Sequence, residues 1–192
     1  MNAPSPDDPA AIAAWRTAER KRLRAARLDL TAEQRALAAQ AIATELDRLV
    51  AGRLGDPAGH VNSGYWPIKA EPSLLFWMEA LHARGTRIAL PVVEAPSAPL
   101  VFRAWHPGAR MERGHWNIPV PAADAARLIP EITLAPLVGW DPGGNRLGYG
   151  GGYFDRTLAA LAPRPYVIES ASTPAAFRPS SRNRMTSVST LL

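Results

Sequence analysis

Between Ala11 and Leu49, apolar residues recur at Leu23, Ala26 and Leu30 and again at Leu37, Ala41, Leu46 and Leu49, in a stretch almost free of glycine and proline. That spacing predicts two helices. They break near Asp29-Leu30-Thr31, where Thr31 serves as N-cap and Gln34, three residues on, completes a capping box. Residues 51–60 read as a loop, and His60 to Tyr65 as a short strand. From Glu71 to Arg84 the spacing is helical again, with Leu74, Leu75, Met78 and Leu81 on one face and Gly85 as the stop. Thr86–Val93 and Leu100–Trp105 are strand-like, Pro91 closing the first of them. A loop rich in Gly and Pro runs from His106 to Pro121, and Ile132–Trp140 is an apolar run suited to a buried strand. A glycine-rich loop, 141–152, leads into a helix from Tyr153 to Leu161, stopped by Pro163. Tyr166–Ile168 begins a strand that is not expected to continue. Alternation of this kind predicts an α/β fold with helices flanking a largely parallel sheet.

Composition narrows the picture. The 192 residues suffice for one sizeable core. No cysteine is present, which excludes disulfides and thiol or cysteine–metal chemistry. No apolar run approaches the roughly 20 residues of a membrane span, and the acidic start does not read as a secretory signal; a cytoplasmic protein without a membrane partner is expected. Residues 1–10, rich in Pro and Ala, read as a mobile extension preceding a single domain, 11–168. The net charge of +5 comes from 20 Arg and 2 Lys against 17 acids, a balance that suggests phosphate-bearing partners, nucleotide or nucleic acid.

The sharpest local signal is Asn145-Arg-Leu-Gly-Tyr-Gly-Gly-Gly-Tyr-Phe-Asp155, between a strand and a helix. Successive glycines let backbone N–H groups approach a ligand. The helix N-terminus and Arg146 add positive charge, and Asp155 stands where a Mg²⁺ bridging phosphates would sit. Walker spacing is missing, and the third glycine of a dinucleotide fingerprint is Tyr153. The plainer alternative is a connecting turn with Asp155 as its cap.

A second signal is basic: Arg16, Arg20, Lys21, Arg22, Arg24 and Arg27 against Glu19 alone. At i, i+4 and i+7, Arg20, Arg24 and Arg27 share a helix face, with Leu23 and Ala26 elsewhere. This is a solvated face or an anion-binding one. The four histidines show no metal spacing, and the tryptophans are mostly core candidates. Trp66 could stack a flat heterocycle, and Glu71 is either a first-turn acid or a ligand contact.

RLGYGGGYFDRTL (146–158), preceded by LAPLVGWDPGGN, resembles the signature of the 5-formyltetrahydrofolate cyclo-ligases. The resemblance extends back over about 150 residues through a G-x-W-N-IPVP segment, an acid about twenty residues before Leu-Pro, and a basic helix ending in LT-x-E-Q. It implies a three-layer α/β/α, Rossmann-like fold of the CoA-transferase kind, and a monomer acting on folate without nucleic acid. It also implies ATP-dependent closure of 5-formyltetrahydrofolate to 5,10-methenyltetrahydrofolate, in which the formyl oxygen attacks the γ-phosphate, N10 closes on the same carbon, and phosphate leaves. ATP contacts are implied at Arg20, Lys21, Arg24, Arg146, Leu147, Gly148, Tyr149, Gly150, Gly151, Gly152, Tyr153 and Phe154. Substrate contacts are implied at Trp66, Glu71, Tyr149, Gly150, Gly151, Gly152 and Tyr153. Asp155 would bind Mg²⁺, while Arg146 and Tyr153 are candidates to position phosphate and formyl groups. An RNA-associated or regulatory phosphate-binding protein using the basic helix is the competing reading.

The chain departs from the family after Ile168, where a Gly-rich strand and a Pro-His-Asp motif are expected. Residues 169–192 read instead as a Ser/Thr-rich, disordered tail. Codons compatible with Ser180–Leu192, regrouped from the last base of the first codon, read Leu-Pro-Gln-Pro-His-Asp-Ile-Arg-Ile-Asp-Ala-Ala. Loss of one base likewise turns Ile-Gly-Val-Gly into Ile168-Glu169-Ser170-Ala171. The expectation is a single-base deletion near codon 169, with impaired activity. Arg178, Arg182 and Arg184 against Glu169 supply +2 of the +5, which leaves +3 on residues 1–168.

Overall fold

In the computed structural model, residues 8–140 and 146–171 are described, together with the backbone of 188–189. Helix α1 (Pro9–Leu28) begins earlier than expected, because the Asp8 carboxylate accepts from the N–H groups of Ala10 and Ala11 with Pro9 at the helix start. Pro9 and Ala10 are therefore helical; the rest of the proposed extension lies outside the described residues. Helix α2 (Ala32–Leu54) opens on the Thr31–Gln34 capping box, with both reciprocal bonds present.

Strand β1 (Val61–Ser63) is followed by α3 (Leu75–Ala83), β2 (Arg87–Val92) and β3 (Val101–Trp105). Helix α3 starts four residues later than the apolar spacing predicts. Lys69 and Ala70 hold left-handed backbone, and Glu71 accepts from the Ile68 N–H in the turn ahead of the helix. The expected loop 106–121 contains a hairpin, β4 (Met111–Arg113) and β5 (Pro119–Pro121), around a short 3₁₀ turn at His115–Asn117. The apolar run at 132–140 divides into β6 (Ile132–Pro136) and β7 (Gly139–Trp140). The latter turns away to pair with β8 (Arg146–Leu147). Helix α4 (Tyr153–Ala160), β9 (Tyr166–Ser170) and β10 (Val188–Ser189) complete the described elements.

Among the described residues the main sheet has six strands in the order β10-β9-β6-β1-β2-β3, all parallel except β3. The short connection from Val92 to Val101 explains the exception, since a parallel return needs a crossover of a dozen residues or more. Strand β9 does not stop at Ile168: Glu169 pairs with Ala135 and Ser170 with Pro136, and Val188–Ser189 pair with Ile168 and Glu169. The Arg146 guanidinium, bonded to the Glu169 carboxylate, offsets the burial of a charge at that position. The remainder of the proposed disordered tail lies outside the described residues.

One face of the sheet, through Ile88, Leu90, Ile132, Leu134 and Ile168, packs on α2 and α3. Val61, Ala89 and Phe102 on the opposite face meet Leu128 and Leu161. On that side Thr157 of α4 accepts from the Leu100 N–H. The result is the three-layer α/β/α arrangement. Gly64 permits one close approach within it, since a Cβ there would lie 2.0 Å from the Met78 sulfur. Helix α1 packs through Trp15 and Leu23 on Val138, Leu147 and Tyr149.

Candidate active site

A cavity of about 620 Å³ opens at the C-terminal ends of β1, β2, β6 and β9, where ligands bind in sheets of this kind. One wall is the loop Gly148–Gly152. Its carbonyls are tied back by arginines: Arg20 Nε donates to Gly148 O at 2.8 Å, and Arg156 Nη2 to Gly151 O at 2.7 Å. Two of the loop carbonyls, Gly148 and Gly151, thus have protein donors. Among the described residues no backbone carbonyl accepts from the N–H of Gly150 or Gly151. Gly150 has φ +97°, and a Cβ there would press within 3.2 Å of the Arg20 guanidinium carbon. Arg16 and Arg20 line the same wall. Burial, then the neighbouring Arg16 charge, lowers the Arg20 pKa. Arg146 donates to Asp155 Oδ1 at 2.6 Å and to Glu169 Oε1 at 2.5 Å.

A buried network reaches the same cavity through Tyr149 and Glu71. Arg27 is fully buried; Nη1 donates to the Tyr149 hydroxyl at 2.7 Å and Nη2 to the Leu137 carbonyl at 2.7 Å. Its guanidinium lies 3.8 Å from the Glu71 carboxylate, and Tyr149 donates its hydroxyl proton to that carboxylate. Burial pushes the Glu71 carboxyl above the ordinary range, with Tyr149, the Ile68 amide and Arg27 opposing. The Tyr149 phenol is raised as well, first by burial and then by the Glu71 charge.

Most of the residues singled out from the sequence meet here. Trp66, Glu71, Asp155 and Arg146, Leu147, Gly148, Tyr149, Gly150, Gly151, Gly152, Tyr153 and Phe154 all line the cavity, as does Arg20. Lys21 and Arg24 do not. The pair of arginines four apart that faces the cavity is Arg16 and Arg20, one helical turn earlier than the pair Arg20 and Arg24. Nor does Arg27 share a solvated face with Arg20 and Arg24, because the buried stripe of α1 is Trp15, Glu19, Leu23 and Arg27. Glu71 lies before α3 rather than in its first turn. Of the tryptophans, Trp15, Trp77 and Trp105 are buried, whereas Trp116 is 62% exposed. Trp116 holds a left-handed backbone and meets the Tyr153 ring edge-on at 5.8 Å over the cavity.

Sequence reasoning missed Arg16, Arg27, Trp116 and Glu169 as site residues. The G-x-W-N-IPVP segment was the available signal for Trp116. No local signal marked Arg27, whose partners Tyr149 and Leu137 lie 122 and 110 residues away. Among the described residues no three histidine or acidic side chains cluster as a metal site, and no helix is long and apolar enough to cross a membrane.

At the C-terminal ends of a largely parallel sheet the site thus joins a glycine-rich loop to the Arg27–Tyr149–Glu71 network. The model of the 5-formyltetrahydrofolate cyclo-ligase family matches residues 12–174, and the chain belongs to that family. It is 37% identical over 86 residues to the 5-formyltetrahydrofolate cyclo-ligase of Escherichia coli K12, a match covering 42% of this chain and 47% of that protein. The Haemophilus influenzae cyclo-ligase is 29% identical over 153 residues, 77% of this chain and 80% of its own. Among solved structures, the 5,10-methenyltetrahydrofolate synthetase of Aquifex aeolicus superposes with TM-score 0.62 at 22% identity, covering 89% of this chain and 84% of that one. The Mycoplasma pneumoniae synthetase gives 0.59 at 24%, covering 80% and 83%. Both share the fold.

Proposed function

We propose that the chain closes 5-formyltetrahydrofolate to 5,10-methenyltetrahydrofolate at the expense of ATP, giving ADP and phosphate. One observation carries this reading: one cavity is lined by the glycine loop with Arg16, Arg20 and Arg146, by Trp66, and by the Tyr149 and Glu71 ends of the network that Arg27 holds. In this reading the amides of the Gly148–Gly152 loop, with Arg16, Arg20 and Arg146, take the triphosphate. Trp66 covers an apolar face of the folate, while Glu71 and Tyr149, held by Arg27, meet its polar edge. The formyl oxygen bonds to the γ-phosphorus as the bond to ADP breaks. The N10 lone pair then forms the new C–N bond, phosphate departs with the former formyl oxygen, and the N10 proton is lost. No side-chain nucleophile is needed; the protein's work is alignment and charge neutralisation.

The donor set suits Mg²⁺. Asp155 is a hard carboxylate, 67% exposed at the cavity, and Mg²⁺ binds through one or two carboxylates plus substrate phosphates. When bound, it would neutralise charge on the phosphate oxygens. The protein is proposed to work as a cytoplasmic monomer with no nucleic-acid partner. The RNA reading of α1 is weakened by its own arginines, since Arg16 and Arg20 face the cavity and Arg27 is buried.

Residues 169–192 are proposed to be read one base out of frame. Resequencing codons 165–192 tests this directly. An ATP- and Mg²⁺-dependent assay for methenyltetrahydrofolate, run on chains with either C-terminus, tests the consequence. Weak turnover as written and recovery with the frame restored are expected; equal turnover by both contradicts it.

A further inference from the structure

Glu169 sets a carboxylate against Arg146, one of the cations proposed to take the triphosphate. It lies at the C-terminal end of β9 beside Ala135 of β6, its side chain is only 2% exposed, and it lines the cavity. Oε1 accepts from Arg146 Nη1 at 2.5 Å. Oε2 is buried and has no hydrogen-bond partner among the described residues. A buried carboxylate with half its hydrogen-bonding capacity unused is costly, and burial raises its pKa against the opposing pull of Arg146. Arg146 also holds Asp155 through Nη2, so its guanidinium spans two carboxylates.

The two carboxylates differ in what they can do when a polyanion arrives. Asp155 is 67% exposed on the first turn of α4 and can swing into water. Glu169 is fixed on a central strand, and its side chain has no solvent to retreat to. An incoming phosphate would therefore meet an arginine already neutralised by an anion that stays. At cavity separations, in a medium of effective dielectric near 20, such repulsion is large enough to govern affinity.

We propose that Glu169 acts as an internal competitor of phosphate for Arg146 and sets how weakly this chain holds ATP. The inference rests on the ATP reading given above. It identifies Glu169 as an affinity-determining residue at the phosphate subsite rather than a catalytic one.

Equilibrium binding of MgATP and of adenosine to the chain and its variants tests the proposal. Glu169→Gln keeps the shape and removes the charge, and Glu169→Gly clears the position. Both should tighten MgATP binding by about tenfold or more, leave adenosine binding nearly unchanged, and lose that gain in an Arg146→Ala background. A merely structural role would shift both ligands together. Unchanged MgATP affinity in folded variants, a gain equal for adenosine, or a gain that survives Arg146→Ala overturns the proposal. Weaker binding in Glu169→Gln, the result expected of a metal ligand, overturns it too. If no variant binds MgATP at all, the ATP reading itself falls and this inference with it.

Discussion

Replacing Arg27 with methionine should destabilise the protein by about 3–5 kcal/mol at neutral pH, because it leaves a buried charge without its partner. The guanidinium is fully buried and satisfies the Tyr149 hydroxyl and the Leu137 carbonyl, while its charge faces Glu71. Methionine fills the volume but leaves the carboxylate uncompensated. The pH dependence identifies the cause. The folded pKa of Glu71 is already raised above its ordinary 4.5 by burial, so this group favours the folded state most at low pH. That contribution is lost as pH rises through the folded pKa. Removing Arg27 raises the folded pKa further. The deficit should thus be largest at neutral pH and shrink as the pH falls toward 4.5. Urea denaturation of both proteins across that range measures it, and a deficit equal at pH 5 and pH 8 would show that lost packing, not charge, is responsible.

Gly150→Ala should reduce ATP-dependent turnover about a hundredfold while lowering stability by only about 1–2 kcal/mol. The backbone there has φ +97°, a conformation costly for any residue with a Cβ. The added methyl would sit 3.2 Å from the Arg20 guanidinium that holds the Gly148 carbonyl. Relaxation would move the loop amides by a fraction of an ångström, and misplacement on that scale at a reacting centre costs rate far more than stability. Steady-state kinetics beside thermal unfolding separates the two effects. Loss of turnover only in proportion to loss of folded protein would contradict a phosphate-positioning role.

Local signals carried much of the fold. The Thr31–Gln34 box, the apolar stripe of α3 and the strand-like runs Thr86–Val93 and Leu100–Trp105 each act within a few residues, and each appears close to where its pattern lies. What escaped depends on distant partners. Arg27 reads as one more basic residue on a charged helix, and only Tyr149, Leu137 and Glu71, brought in by tertiary packing, make its burial tolerable. The register of the cavity-facing arginines was missed for a related reason. Helical spacing groups Arg16 with Arg20 as readily as Arg20 with Arg24, and the choice is made by which face Trp15, Leu23 and Arg27 bury. The split of 132–140 into β6 and β7 follows from pairing with Arg146–Leu147, a partner that an apolar run alone does not reveal. Glu169 was legible as an anomaly of composition, but its place against Arg146 required the sheet.

In the proposed reaction this cavity brings the formyl oxygen to the γ-phosphate of ATP. That step is tested most directly by a single-turnover reaction, enzyme in excess, with 5-formyltetrahydrofolate labelled with ¹⁸O in the formyl group. One labelled oxygen is expected in the inorganic phosphate for each methenyltetrahydrofolate formed; ring closure with unlabelled phosphate, or with the label released to water, would overturn the proposed reaction.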